Sequence, residues 1–176
     1  MKFKIFLIMI VFSTSTSLFA PSAHAADKGW RYWGYFQTAP NKAVWTAAMT
    51  GPTVDIADGS VEGWSFVFSS DDIPSLQPRV KPDFKRICAG VKANKDTKRI
   101  AVVIDFGSAA YAPKGEKPRK TIVTCVQTAK ESQGIDVLGQ VTKIRGASSG
   151  LICGLAGYPR KECGVEIATP KVLIKK

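Results

Sequence analysis

The sequence predicts an α+β fold: a small mixed β-sheet with one or two short helices packed on it, stapled by disulfides. Three observations lead there. Short apolar and aromatic runs of strand character alternate with only two stretches of helical spacing. Hydrophobic residues make up 45% of the chain and charged residues 22%, the usage of a folded domain and not of a disordered one. Cys88, Cys125, Cys153 and Cys163 form an even set in a chain that opens with an export signal.

That signal is residues 1–25, which read as a secretory signal peptide. Lys2 and Lys4 form its basic start, residues 5–12 are an unbroken apolar run too short to span a bilayer, and polar residues 13–17 follow. Ala23-His24-Ala25 then supplies the small-x-small pattern for cleavage after Ala25. The product is expected to be secreted, that is, extracytoplasmic. Residues 26–176 are expected to form a single globular α+β domain, because 151 residues are too few for two cores. No later apolar stretch approaches the ~20 residues of a span, so the mature form is expected to have no membrane span.

Within the mature chain, residues 30–36 (Trp-Arg-Tyr-Trp-Gly-Tyr-Phe) predict a strand, with Trp30, Tyr32 and Phe36 on one face and Trp33 and Tyr35 on the other. Residues 61–68 predict a second strand, entered through the Asp58-Gly59-Ser60 turn, with Trp64, Phe66 and Phe68 on one side. Residues 83–91 read as a short helix after Pro82 that puts Phe84, Ile87 and Cys88 on one stripe. Residues 100–107 are the clearest buried strand, since their apolar residues run on instead of alternating. A strand over residues 121–127 follows a Pro/Lys loop. Ile135, Leu138, Val141 and Ile144 recur at helical spacing, and residues 150–153 return as a strand.

Four cysteines allow three pairings. The preferred one joins Cys153 to Cys163 around a Gly/Pro-rich loop and Cys88 to Cys125 between a helix and a strand; chain entropy assigns the two loops about 3 and about 4 kcal/mol. A four-Cys zinc site is disfavoured, because there is no Cys-x-x-Cys pair. Cleavage would also remove His24, the only histidine. Without it Ser-His-Asp and Cys-His mechanisms are excluded and the commonest metal ligand is gone. The expectation is a protein that is not an enzyme, with no catalytic residues, no metal and no cofactor.

Charge and aromatic residues are unevenly placed. Nine of the thirteen aromatics outside the leader, including all four tryptophans, lie between Trp30 and Phe68. Between Arg79 and Lys130 there are thirteen basic residues against four acids, so this segment carries the whole excess of about +9. It reads either as one basic face or as solvated Lys-rich loops. Because its cations are not interleaved with aromatics, nucleic acid is not an expected partner.

Several motifs carry a resemblance: Arg31-Tyr32-Trp33, residues 58–64 (Asp-Gly-Ser-Val-Glu-Gly-Trp), residues 103–107 (Val-Ile-Asp-Phe-Gly), residues 150–154 (Gly-Leu-Ile-Cys-Gly), Gly157-Tyr158-Pro159 and Cys163-Gly164. In this set the chain resembles an uncharacterised family of secreted actinobacterial proteins associated with energy-coupling-factor transporter genes. A weaker likeness joins residues 32–36 with 58–64, and residues 134–138 with 150–158, to the C-terminal domain of transcobalamin-type proteins, with the two halves in swapped order. That likeness implies a β-grasp-like sheet and a flat ligand such as a vitamin or corrinoid.

The functional expectation is therefore an extracytoplasmic binding module, presenting a vitamin, corrinoid or metal complex to an envelope transporter. Its ligand-binding candidates are Trp33, Tyr35 and Trp64 as stacking rings and Glu62 as a neighbouring acceptor. The alternative is a structural or adhesion protein of the cell envelope whose basic segment contacts anionic wall polymer. A hydrolase using Asp58, Glu62 and Asp105 ranks below both, because no convergent acid pair is evident.

Overall fold

The structure, a computed structural model, describes residues 28–174. The signal peptide assigned to residues 1–25 lies outside the described residues. The described chain is a mixed sheet with helices on opposite faces.

β1 (Lys28–Thr38) is the aromatic strand, longer by two residues at each end than the apolar pattern alone indicates. It pairs antiparallel with β3 (Val61–Ser69) along its length, Trp30 opposite Ser69 and Thr38 opposite Val61. β3 runs parallel to β4 (Thr97–Asp105), and β4 pairs antiparallel with β5 (Ile122–Ala129). The outer edge of β1 is shared by β2 (Thr46–Ala47) at one end and β8 (Val165–Ala168) at the other. β6 (Ile144–Gly146) and β7 (Ile152–Leu155) make a separate antiparallel ribbon. The sheet is small and mixed with a central parallel pair, and its main strands follow chain order.

The continuous apolar run in β4 has its explanation in two covers. Ile100, Val102, Ile104 and Phe106 join Trp33, Trp64, Phe66 and Phe68 on one face, beneath Val137 and Leu138 of α2 (Gly134–Val141) and Ile152 and Leu155 of the ribbon. Ala101 and Val103 join Phe36, Val61 and Trp45 on the other, beneath Phe84 and Ile87 of α1 (Phe84–Ile87). Ile100 through Ile104 are wholly buried, as a strand covered on both sides must be. Gly63 is required by this packing: a Cβ there would lie 2.7 Å from the Trp45 ring, which rests on the strand.

Local signals set the ends. Asp83 caps α1 by accepting from the Arg86 amide at 3.0 Å, but the helix stops at Ile87, well short of residue 91, in a stretch holding Gly90. α2 begins with a capping box in which the Gln133 amide donates to Asp136 at 2.8 Å. It ends before Thr142, so Ile144 leaves the helical stripe and enters β6. Both preferred disulfides are present: Cys88–Cys125 ties the end of α1 to β5, and Cys153–Cys163 closes the loop after β7.

Candidate functional site

Three of the four candidate residues meet in space. Tyr35 on β1 lies opposite Trp64 on β3, and their rings stack. The Tyr35 hydroxyl donates to Glu62 Oε2, and Gln37 Nε2 donates to the Tyr35 oxygen at 2.8 Å and to Glu62 Oε2 at 3.3 Å. Lys98 is buried close by and donates through Nζ to the Ile56 carbonyl at 2.7 Å. Trp33 stands apart from this trio, edge-on to Phe66 and Phe106, its Nε1 donating to the Tyr158 carbonyl at 3.2 Å.

Trp64 and Glu62 of the trio are interior, and Tyr35 is half-buried. Trp64 is 0% exposed, Trp33 5% and Glu62 1%, so neither indole presents a face to a flat ligand. The expectation of Trp33 and Trp64 as exposed stacking anchors is corrected accordingly. Its physical reason is the register: β1 and β3 set Trp33, Tyr35, Trp64, Phe66 and Phe68 on the face that α2 and the ribbon cover. The exposed indole is Trp30, at 53%, on the opposite face of β1. Burial pushes the Glu62 carboxyl above its usual range, against the hydrogen bonds from Tyr35 and Gln37 and the charge of Lys98. Burial, then Glu62, pushes the Tyr35 phenol far up, so it stays a neutral donor.

The carboxylates weighed for a paired-acid site are likewise committed to separate partners. Asp58 accepts from Arg99, Asp105 from Arg79, and Glu62 from Tyr35. Burial acts to raise the Asp105 carboxyl, and hydrogen bonds from Arg79 and Gly107 outweigh it, holding it below the ordinary range.

A concavity lies elsewhere. A groove of about 700 Å³ opens between the loop after β1, the turn before β3, α1 and the start of β4. Lys42, Lys81, Lys85, Arg86 and Arg99 line it against Asp58 and Asp83, a formal balance of +3 from five cations and two acids. Its floor is ordered. Arg99 donates its backbone amide to Asp58 Oδ1 at 2.6 Å and Nη2 to Oδ2 at 3.1 Å, which holds the Asp58 carboxyl below its ordinary range. The Arg99 guanidinium lies 5.3 Å over the Phe84 ring. Gly59, with φ +90°, makes the turn that brings Asp58 beside β4, donating its amide to the Arg99 carbonyl. Arg86 is paired with Asp83 at 3.9 Å.

Lys42, Lys81 and Lys85 are exposed and make no ion pair among the described residues. Three unneutralised ammonium groups on one groove hold a local positive potential that an anion can neutralise. Lys81, Lys85, Arg86 and Arg99 belong to the basic stretch that the sequence singles out, and all fall on one groove. Lys42 and Phe84 carry no such signal, because only the fold brings them there.

No helix among the described residues is long and apolar enough to cross a membrane, and no cluster of ligating side chains suited to a metal is present among them. A family model described as SCO2322-like domain matches residues 25–168. No curated protein and no solved structure matches the chain.

Proposed function

We propose, from the premise that the chain belongs to the SCO2322-like domain family, that it is an extracytoplasmic, non-enzymatic binding module that holds anionic polymer of the cell envelope in the Lys42–Lys81–Lys85 groove. The family takes its name from a Streptomyces protein, in keeping with the actinobacterial resemblance of the motifs. The observation that carries the reading is the groove itself: three lysines with no ion pair among the described residues, on a floor ordered by the Asp58–Arg99 pair and the capped α1. Two disulfides and the leader-like residues 1–25 favour an oxidising compartment outside the cytoplasm. Of the three functions weighed from the sequence, presentation of a vitamin or corrinoid to a transporter drew its physical support from a tryptophan platform, and Trp33 and Trp64 are core. Contact with an anionic polymer relies on the basic stretch, which has a built groove.

The test is retention of the mature, disulfide-bonded protein on isolated envelope and on immobilised polyphosphate as salt rises. Exposed charges act over about 8 Å at 0.15 M salt, so retention should fall steeply through that range. Lys81→Ala with Lys85→Ala should weaken it severalfold without altering thermal unfolding. Salt-insensitive retention, or retention unchanged by the double substitution, defeats the proposal.

A further inference from the structure

A smaller cleft of about 200 Å³ lies where β3 and β4 end, between the chain leading toward α1 and the short turn Lys171–Leu173 that follows β8. Ser65 and Asp105, neighbours across the parallel pair, form its floor with Tyr111, and Arg79, Leu76 and Val172 stand around them. It shares no lining residue with the basic groove. At ~30 Å³ per water the space equals about seven waters, the room for a small molecule or for the end group of a larger one.

The charged part of the lining is already closed on itself. Asp105 is 1% exposed, and its Oδ2 accepts the Arg79 amide and Arg79 Nε, each at 2.9 Å. Its Oδ1 accepts Arg79 Nη2 and, at 3.0 Å, the Gly107 amide. The pair sums to zero charge, and with four bonds Asp105 has no acceptor position left for a ligand. Arg79 Nη2 also donates to the Gly107 carbonyl at 3.1 Å, while Nη1 has no partner among the described residues.

What the floor has left is donors. Ser65 is 3% exposed, and its hydroxyl makes no hydrogen bond among the described residues. Nor is it sealed: the buried side-chain atoms that lack both a partner and solvent are Trp64 Nε1, Ser70 Oγ and Tyr158 Oη. A hydroxyl that is unpartnered, unsealed and part of the lining opens into the cleft. Tyr111 brings its phenol to the same floor. Burial pushes that phenol up against the pull of the Ser108 amide, and the charges of Asp105 and Arg79 both reach it, so it stays a neutral donor. The rim is apolar, because Leu76 and Val172 are two of the few large apolar side chains left exposed, and Leu173 beside them is anchored in the main core.

A complementary ligand is therefore uncharged, with an acceptor oxygen for the floor and a short apolar body for the rim. A carboxylate meets no net charge there, since Asp105 cancels Arg79, and an ammonium group meets no free carboxylate oxygen. We propose that this cleft binds a short uncharged acyl group, an alkyl chain of a few carbons on an amide or ester carbonyl. The carbonyl oxygen accepts from Ser65 and Tyr111, and the chain lies against Leu76 and Val172.

The test is a titration of the isotope-labelled, disulfide-bonded mature protein with butyramide, followed by the backbone amides of Gly107 and Ser108. Butyrate and butylamine serve as charged counterparts of the same length. Saturable shifts are expected with butyramide, and at least tenfold weaker binding of the two ions. Ser65→Ala with Tyr111→Phe removes both hydroxyls, keeps the ring in its packing, and should weaken butyramide at least tenfold. Val172→Asp, at an exposed rim position, should do the same without touching the core, and it decides the matter if thermal unfolding shows the double variant to be misfolded. A parallel titration with a methyl 2-acetamido-2-deoxyglucoside separates sources: tighter binding marks an acyl group carried on a sugar, equal or weaker binding a free amide. Shifts that do not saturate, or ions bound as tightly as the amide, overturn the proposal. So does an affinity that Val172→Asp or the folded double variant leaves unchanged.

Discussion

Tyr35 and Trp64 stack with ring centroids 5.1 Å apart and 19° between their planes, and the Tyr35 hydroxyl donates to Glu62 at the same spot. The contact places the most aromatic part of the sequence in the interior. It turns what looks like a ligand platform into a packing unit with a polar end.

The first prediction follows from that burial. Trp64→Ala should lower folding stability by about 3 to 5 kcal/mol, the range for emptying a large aromatic site in a core. Trp30→Ala, at a ring 53% exposed, should cost under about 1 kcal/mol. Thermal unfolding measures both. Acrylamide quenching supplies a second reading, because the readily quenched part of the tryptophan emission should disappear with Trp30 and persist in conservative variants of Trp33 and Trp64.

A second prediction concerns pH. The folded state holds a proton on Glu62 more tightly than the unfolded chain does, since burial raises its carboxyl. Between the unfolded and folded values the native state binds more protons, so stability falls as pH rises through the folded value. This contribution is fully present below the ordinary carboxylate range and lost above the folded one. Glu62→Gln preserves an acceptor for Tyr35 and cannot ionise, so it should flatten that decline and leave the variant more stable than the parent at neutral pH. Denaturant unfolding of both proteins across pH 4 to 7 measures it; parallel pH profiles would show that Glu62 carries none of the dependence. Tyr35, Gln37 and Lys98 remain in the variant as controls on the network.

How much of this is legible in the sequence depends on the range of the interaction. Residues 61–68 read as a strand from the Asp58-Gly59-Ser60 turn and the one-sided Trp64, Phe66 and Phe68, residues 100–107 from their continuous apolar run, and the structure places β3 and β4 side by side at the centre. The pairing of Cys88 with Cys125 was legible as a helix-to-strand staple. Spacing alone places Ile144 on a helix, whereas α2 ends before Thr142 and β6 takes the residue. No sequence pattern marks β8. Its four residues alternate between half-buried and exposed, and it exists because the outer edge of β1 is there to pair with.

The site was legible in part for the same reason. A run of cations from Arg79 onward is visible in one dimension, but Lys42 is about forty residues away and joins the groove only through the loop after β1. Whether a tryptophan is platform or core is set by what covers the sheet. Residues 100–107 hold a clue, since a strand whose apolar residues run on continuously has both faces covered, and its neighbours share the cover.

The last prediction links the staples to the groove. Chain entropy assigns Cys88–Cys125, with a separation of 37 residues, about 4 kcal/mol, and Cys153–Cys163, with a separation of 10, about 3 kcal/mol. Their functional consequences should differ more than their stabilities. α1 is only four residues long, and it carries Phe84 and Lys85 into the groove while its far end is held by Cys88 on Cys125. A helix that short does not persist in water without tertiary anchorage. Cys88→Ala with Cys125→Ala should therefore loosen α1 and reduce polyphosphate retention at a temperature where the protein is still folded. Cys153→Ala with Cys163→Ala releases a loop at the opposite end of the sheet and should spare that retention. Measuring polyphosphate retention on both variants, with circular dichroism confirming a folded sheet, separates the two staples. Equal loss in both variants would mean that the disulfides act only through global stability.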